Sequence, residues 1–402
     1  MVEERWQNEG AARFCVGQAF FRSSSQTGRD LGVLAAIAHR QIHGQLRVLD
    51  AMTGCGVRLI RYALEANADY VWANEGNWEL RDRLHTNLRN SLPSHRYHLT
   101  HQDANAVFFD CHQRQDFYDL IDIDSFGSPM PALATSLWAV KLGGLLYLTS
   151  TDGRATSGAA PDRGLQVYGA YARSHPAVHE QGLRLLIGLA VQQAAARGLN
   201  AQPVFSWYNG EVNRVMVRIT RQSKWSTERY GFLSYCHSCG QFQTVSWKKL
   251  GRTATCLCSN PEMPPVLSGP MWLGPLHSPA DLAAMSKIVC SLQVQSVEKR
   301  TVEKRTAEKR TAYADAWKTC QRLLAVMQAE ASLPPYFYPL AELGRRGKMD
   351  IPPRDSLIQQ LNEAGFLTTR THINSQAIKT TAPIATCIEV ARQVSQLPYS
   401  PE

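Results

Sequence analysis

The sequence has no run of 18 apolar residues. Its greasiest stretches, LGVLAAIA and LRLLIGLAVQQAAA, are short or broken by Arg and Gln, which excludes a helical membrane span. The amino terminus, MVEERWQNEG, has no basic flank ahead of an apolar core, so no secretory leader is expected. Ten cysteines in 402 residues are too few for a disulfide scaffold, and reduced thiols with a metal site are the better reading. Acids are in deficit: 34 Asp+Glu stand against 43 Lys+Arg, a net charge of +9 that favours a polyanionic partner. With 44% apolar and only 19% charged residues the chain is not globally disordered. At about 150 residues per domain, its length suggests two or three domains.

The first half alternates strand and helix signals. Residues 46–50 (LRVLD) read as a buried strand, followed by a two-glycine turn at Thr53-Gly54-Cys55-Gly56 and a helical VRLIRYALE. Tyr70–Ala73 reads as a second strand, 77–91 as a helix, and a third element ends at Asp103. Tyr118–Ile123 is a fourth strand, 133–141 a helix and 143–151 a fifth strand. Such alternation predicts an α/β, doubly wound, parallel sheet, with ligands at the carboxyl ends of its strands.

From about residue 222 the character changes. Residues 221–260 hold six Lys/Arg, Arg221, Lys224, Arg229, Lys248, Lys249 and Arg252, against one acid, with Trp225, Tyr230 and Trp247 interleaved. Together with Arg345-Arg346-Lys348 and Arg370-His372-Lys379, these suit the phosphates and bases of a folded RNA. Residues 297–311 repeat VEKRT-VEKRT-AEKRT, a charged pentad with no apolar stripe and no assigned chemistry. The tail suggests a small winged-helix-like module.

Three strand-end acids carry the first chemistry. Asp50 opens D-A-M-T-G-C-G, whose glycines let a ligand approach the backbone. The block lacks the GxGxxG spacing of a nicotinamide fingerprint. Glu75, 25 residues on, ends the next strand, where a carboxylate can bond both ribose hydroxyls; Asp103-Ala104 is placed to face an adenine edge. A second constellation, Asp124-Ser125-Phe126-Gly127-Ser128-Pro129, follows a buried strand. Its carboxylate and a backbone carbonyl can hold one exocyclic amine while the ring stacks on a base, and the carboxylate can take the released proton. The plain alternative is a tight turn with Phe126 in the core.

Cys236-x2-Cys239 and Cys256-x-Cys258 put four thiols within 23 residues, a spacing that suits structural, tetrahedral zinc. The second half is C-x-C rather than C-x-x-C. His237, between two of the thiols, is a poorly placed spare ligand.

Many ordered blocks together resemble the tRNA guanine-N2 dimethyltransferases that modify position 26: Gly28-Arg29-Asp30-Leu31 (N-R-D-L in the family), VLDAMTGCGVRLIRYALE, WANE, DAN, DIDSFGSP, LTSTDG, HEQGLRLLIG, the cysteine cluster, MWLGPLH, PPYFYPL and THINSQAIKT. The resemblance implies a Rossmann-like class I methyltransferase domain over 1–222. It also implies a C-terminal α+β, tRNA-binding domain over 223–402, with the zinc-knuckle-like loop at 236–258. S-adenosyl-L-methionine would be the cofactor, bound by Arg29, Asp50, Arg58, Glu75, Asp103 and Ala104. Asp124 would be the catalytic acid–base residue and Phe126 the stacking ring. The product would be N2-methylated guanine, with one or two methyls; the alternatives are another nucleobase amine in rRNA or DNA, or a non-catalytic RNA binder. A cytoplasmic setting is expected, with tRNA as partner and neither a membrane nor an obligatory protein partner. The chain departs from the family turn D-P-F-G at Ser125, which keeps the carbonyl but gives up proline's stiffness.

Overall fold

Short buried runs ended by glycine or acid become strands, and the longer amphipathic segments between them become helices that cover both faces. A computed structural model of the chain describes residues 6–221, 226–250, 256, 258, 264–298 and 307–396. After an antiparallel hairpin (Trp6–Glu9 with Ala12–Cys15), the order is α1 (Gln26–His43), β1 (Arg47–Asp50), α2 (Val57–Leu64), β2 (Tyr70–Asn74), α3 (Arg81–Ser91), β3 (Tyr97–Thr100) and α4 (Ala104–Gln113). There follow β4 (Tyr118–Ile123), α5 (Met130–Ser136), β5 (Val140–Ser150), α6 (Val178–Ala195), β6 (Leu199–Asn209) and β7 (Val212–Arg221). The seven strands lie in the order β3-β2-β1-β4-β5-β7-β6. The first five are parallel and β7 is antiparallel to both neighbours.

Strand side chains alternate between two cores. Leu49, Ile121, Leu146 and Val215 face one; Val48, Leu120, Leu145 and Met216 face the other. The direction of chain travel reverses between β1 and β4, the switch point where such sheets bind ligands. The helix expected at 133–141 begins earlier, at Met130 after Pro129, and strand β5 already starts at Val140. Proline caps the start of that helix, and a turn at Trp138-Ala139 ends it.

The second half adds a three-stranded antiparallel sheet, β8 (Tyr230–Tyr235), β9 (Phe242–Val245) and β10 (Val266–Trp272), and two long helices, α7 (Pro279–Glu298) and α8 (Ala307–Glu330). Leu282, Met285, Trp317 and Leu324 of these helices share one core with Leu31, Leu34 and Val48 of the first half. Beyond α8 come a strand (Tyr338–Pro339), two helices (Leu340–Gly347, Arg354–Glu363) and two strands (Thr368–Arg370, Ala377–Thr380). This is the helix–strand–helix–helix–strand–strand order of a winged-helix-like module. A final helix spans Ile384–Gln396. The repeat at 297–311 lies largely outside the described residues, as do Lys224, Trp225 and Arg252.

A buried ion network ties the tail to the first half. Lys379 Nζ lies 2.7 Å from Glu180 Oε1 on α6 and 3.8 Å from Glu330 Oε2 on α8. Arg184 also bonds Glu180, and His372 bonds Glu330. Burial would raise the Glu330 carboxyl, but His372 and Lys379 hold it well below the usual range. His372 and Lys379 were expected on an RNA-facing surface. Both side chains instead point inward, because two buried carboxylates need counter-charges.

Candidate active site

The strand ends build the site. Strand β1 ends in Asp50, and the turn after it places Gly54 and Gly56 at φ +57° and +88°, a backbone that favours glycine. A Cβ on Gly54 would meet no atom within 4 Å, so the turn faces open space. Glu75, just past β2, accepts the Gly54 N–H through Oε2 at 2.7 Å and the Asn77 N–H through Oε1 at 2.8 Å. Its carboxylate thereby sets the turn and keeps free lone pairs. Asp103 caps α4 by accepting the Asn105 N–H at 2.9 Å, and Ala104 is buried behind it. Asp50 is fully buried, and burial next to Asp122 raises its carboxyl well above the ordinary range.

Asp124 follows β4 on the neighbouring strand. Two arginines grip it: Arg58 Nη2 lies 2.7 Å from Oδ2, and Arg214 Nη1 lies 3.3 Å from Oδ1. Arg58 is anchored in turn on Asp122, at 2.9 and 3.2 Å, and Tyr62 donates its hydroxyl to the same carboxylate at 2.8 Å. The turn then bends at Gly127, φ +72°, whose N–H bonds Thr151 Oγ1 at 2.7 Å while its carbonyl accepts the Thr151 N–H. Phe126 projects from this turn with 75% of its surface exposed, so it is not a core ring. Phe20, 60% exposed, stands edge-on to it with ring centroids 5.1 Å apart. An acceptor on a rigid turn beside two open rings can hold a planar, amine-bearing ring.

The structure thus brings together Asp50, Arg58 and Asp124, and on the adjoining turns Glu75, Asp103 and Ala104. Arg29 is nearly buried under the amino-terminal hairpin, its guanidinium engaged there. It donates to Glu9 at 2.7 Å and to the Arg22 carbonyl at 3.1 Å. Sequence reasoning missed Phe20, Asp122 and Arg214. The in-strand acid of LIDID was a usable signal for Asp122, since a buried carboxylate demands a partner. Nothing local marked Arg214, which reaches Asp124 across 90 residues.

The four cysteine sulfurs all lie within 4.8 Å of one another, with Cys239–Cys256 at 3.3 Å and Cys236–Cys258 at 3.6 Å. A zinc tetrahedron with bonds of about 2.3 Å has edges of about 3.8 Å, so the donor set fits that ion. Gly240, φ +84°, donates to the Cys236 carbonyl and closes the knuckle turn. His237 is exposed and outside the cluster. Arg346 turns inward to bond the His237 and Ser238 carbonyls, so it braces this loop rather than facing solvent. Arg229, Lys248, Lys249, Arg345 and Trp247 remain exposed.

Comparison with known proteins is consistent across the chain. Residues 7–392 match the family model described as N2,N2-dimethylguanosine tRNA methyltransferase. The tRNA (guanine(26)-N(2))-dimethyltransferase of Pyrococcus horikoshii is 30% identical over 364 residues, covering 86% of each chain. That of Thermococcus kodakarensis is 28% identical over 411 residues, covering 96% of this chain and 98% of the relative. Among solved structures, Trm1 from Pyrococcus horikoshii in complex with S-adenosyl-L-methionine superimposes with a TM-score of 0.78 at 26% identity, over 96% of this chain and 99% of that one.

Proposed function

The chain belongs to the N2,N2-dimethylguanosine tRNA methyltransferase family, and from that premise we propose how its residues methylate the N2 amine of guanine 26 in tRNA. It is a methyltransferase that uses S-adenosyl-L-methionine. The bound cofactor supplies an electrophilic methyl on a sulfonium. Glu75, with free lone pairs on both oxygens, would hold its ribose, and Asp103 and Ala104 would border its adenine; the open face at Gly54 gives it room. Arg29 would act at the other end of the cofactor only after exchanging part of its Glu9 pairing.

The observation that carries the reading is the Asp124 turn: a gripped carboxylate at the sheet's switch point, beside two open rings. The guanine N2 lone pair is delocalised into its ring, so the amine is a poor nucleophile. Asp124 and the Ser125 carbonyl would accept its two hydrogens and aim the lone pair at the methyl. As the N–C bond forms and the S–C bond breaks, Asp124 receives the proton. Phe126 would stack on the guanine and Phe20, edge-on to Phe126, would meet it with its edge; the base must leave its own stack to enter.

The four cysteines would hold one structural zinc with no open position for substrate. Residues 223–402, with exposed Arg229, Lys248, Lys249 and Trp247, would grip the tRNA, while 1–222 perform the transfer. Among the described residues no helix is long and apolar enough to cross a membrane. A cytoplasmic setting belongs to the same reading. Nucleoside analysis of tRNA from cells with and without the gene tests it: N2-methylated guanosine at position 26 should vanish with the gene. Its persistence, or loss of a different nucleoside, contradicts the substrate assignment.

A further inference from the structure

We propose that Arg214 is a positioning residue for methyl transfer, locking the Asp124 carboxylate in the plane from which it can accept from the substrate amine. The inference rests on the reading above and deepens it. Asp124 sits on a turn with its side chain 30% exposed, where a lone carboxylate would rotate. The two guanidiniums face different oxygens of it: Arg58 Nη2 lies 2.7 Å from Oδ2 as an ion pair without a hydrogen bond, whereas Arg214 Nη1 hydrogen-bonds Oδ1 at 3.3 Å and so supplies the directional contact. Each arginine has its own anchor. Arg58 rests on Asp122, and Arg214 Nη1 also donates to Thr149 Oγ1 at 3.0 Å. With its side chain 4% exposed, Arg214 is too deep to serve as a phosphate contact.

The packing opposite Arg214 is shaped to it. Position 28 is Gly here, where the related motif reads Asn. A Cβ there would come within 2.8 Å of Arg214 Cδ and 2.7 Å of Trp207 Cζ3. The face of α1 under the arginine is therefore clear only while residue 28 has no side chain. Three strands thus converge on one carboxylate: β7 supplies Arg214, β5 supplies Thr149, and the turn after β4 supplies Asp124. Misplacing reacting groups by about 1 Å can cost roughly 100-fold in rate, which sets the scale of the effect.

The test is single-turnover transfer by the full-length protein to an unmodified tRNA transcript, at saturating cofactor and tRNA. Arg214→Gln should slow transfer roughly 30- to 100-fold while the dissociation constants for S-adenosyl-L-methionine and tRNA stay within about threefold. Arg214→Lys should recover part of the loss. In an Asp124→Asn background, Arg214→Gln should have no further effect, because it acts only through that carboxylate. Gly28→Ala should reproduce the slowing without removing any charge, and it decides the matter if Arg214→Gln does not fold. A wild-type rate in either folded variant, a loss that multiplies with that of Asp124→Asn, or weakened cofactor binding overturns the proposal. If the wild-type protein methylates another nucleoside, the substrate reading fails while the cycle still reports on Arg214.

Discussion

Replacing Glu75 by Gln tests the cofactor site with almost no change in size. In the folded protein, Oε1 and Oε2 each accept one backbone N–H, from Asn77 and Gly54. Each carboxylate oxygen therefore keeps an acceptor position for a ribose hydroxyl. The amide supplies one acceptor and one donor. One backbone N–H then faces an NH2 group, and one hydroxyl loses its acceptor. The backbone loss is felt with and without cofactor and acts mainly on stability. The hydroxyl loss is felt only on binding. A hydrogen bond to a charged group is worth about 1.5–3 kcal/mol, so the dissociation constant for S-adenosyl-L-methionine should rise roughly 10- to 150-fold. Equilibrium dialysis or calorimetry with the purified variant measures it directly, with thermal unfolding as the check on the turn. Affinity within twofold of wild type, in a protein that unfolds normally, would refute the ribose assignment.

Phe126→Ala should lower kcat/KM for tRNA roughly 5- to 150-fold, from the loss of about 1–3 kcal/mol of base stacking, and Phe20→Ala, whose ring stands edge-on, roughly 2- to 13-fold from about 0.5–1.5 kcal/mol. Neither should change cofactor affinity or thermal unfolding, because both rings are exposed; equal kcat/KM values would leave the rings without a role. Cys239→Ser should drop the metal content from one zinc per chain to a small fraction of that, measured by elemental analysis of reduced protein, and a zinc-free wild type would contradict the knuckle. Burial lowers the imidazole pKa of His175 and His277 from 6.5 to about 4. The unfolded chain then binds more protons between those values, so stability is present above pH 6.5 and lost as pH falls towards 4. Asp30, whose carboxyl burial pushes up to about 6, titrates the other way, so the effect is read by difference: the change in urea-unfolding stability between pH 7 and pH 5 should shift by roughly 2 kcal/mol on His175→Gln, and a profile the same as wild type would refute burial of that ring as neutral.

The sheet was legible because parallel strands, buried on both faces, appear as short apolar runs punctuated by turns. Their ends, marked by Asp50, Glu75, Asp103 and Asp124, fell where strand-end acids are useful, so most of the candidate site could be read locally. What could not be read is what depends on distant partners. Lys379 and His372 looked like surface cations, yet their counter-charges Glu180 and Glu330 lie 199 and 42 residues away in sequence. Arg214 lies on an apolar-rich strand, and no residue near it in sequence marks its partner. Its inward path runs against Gly28 on another element, where a Cβ would force Arg214 or Trp207 to shift. The start of β5 was misplaced for a local reason: Trp138 to Leu142 is apolar enough to continue a helix, and only the turn at Ala139 ends it.

The central claim is that the Asp124 turn directs a methyl from S-adenosyl-L-methionine onto one guanine amine. The most direct measurement incubates the protein with methyl-labelled cofactor and an unmodified tRNA transcript, then digests the RNA and identifies the labelled nucleoside. The label should appear as N2-methyl- or N2,N2-dimethylguanosine, require guanine at position 26, and fall sharply with Asp124→Asn. Label on adenosine, cytidine or protein, or undiminished transfer by that variant, would contradict the account.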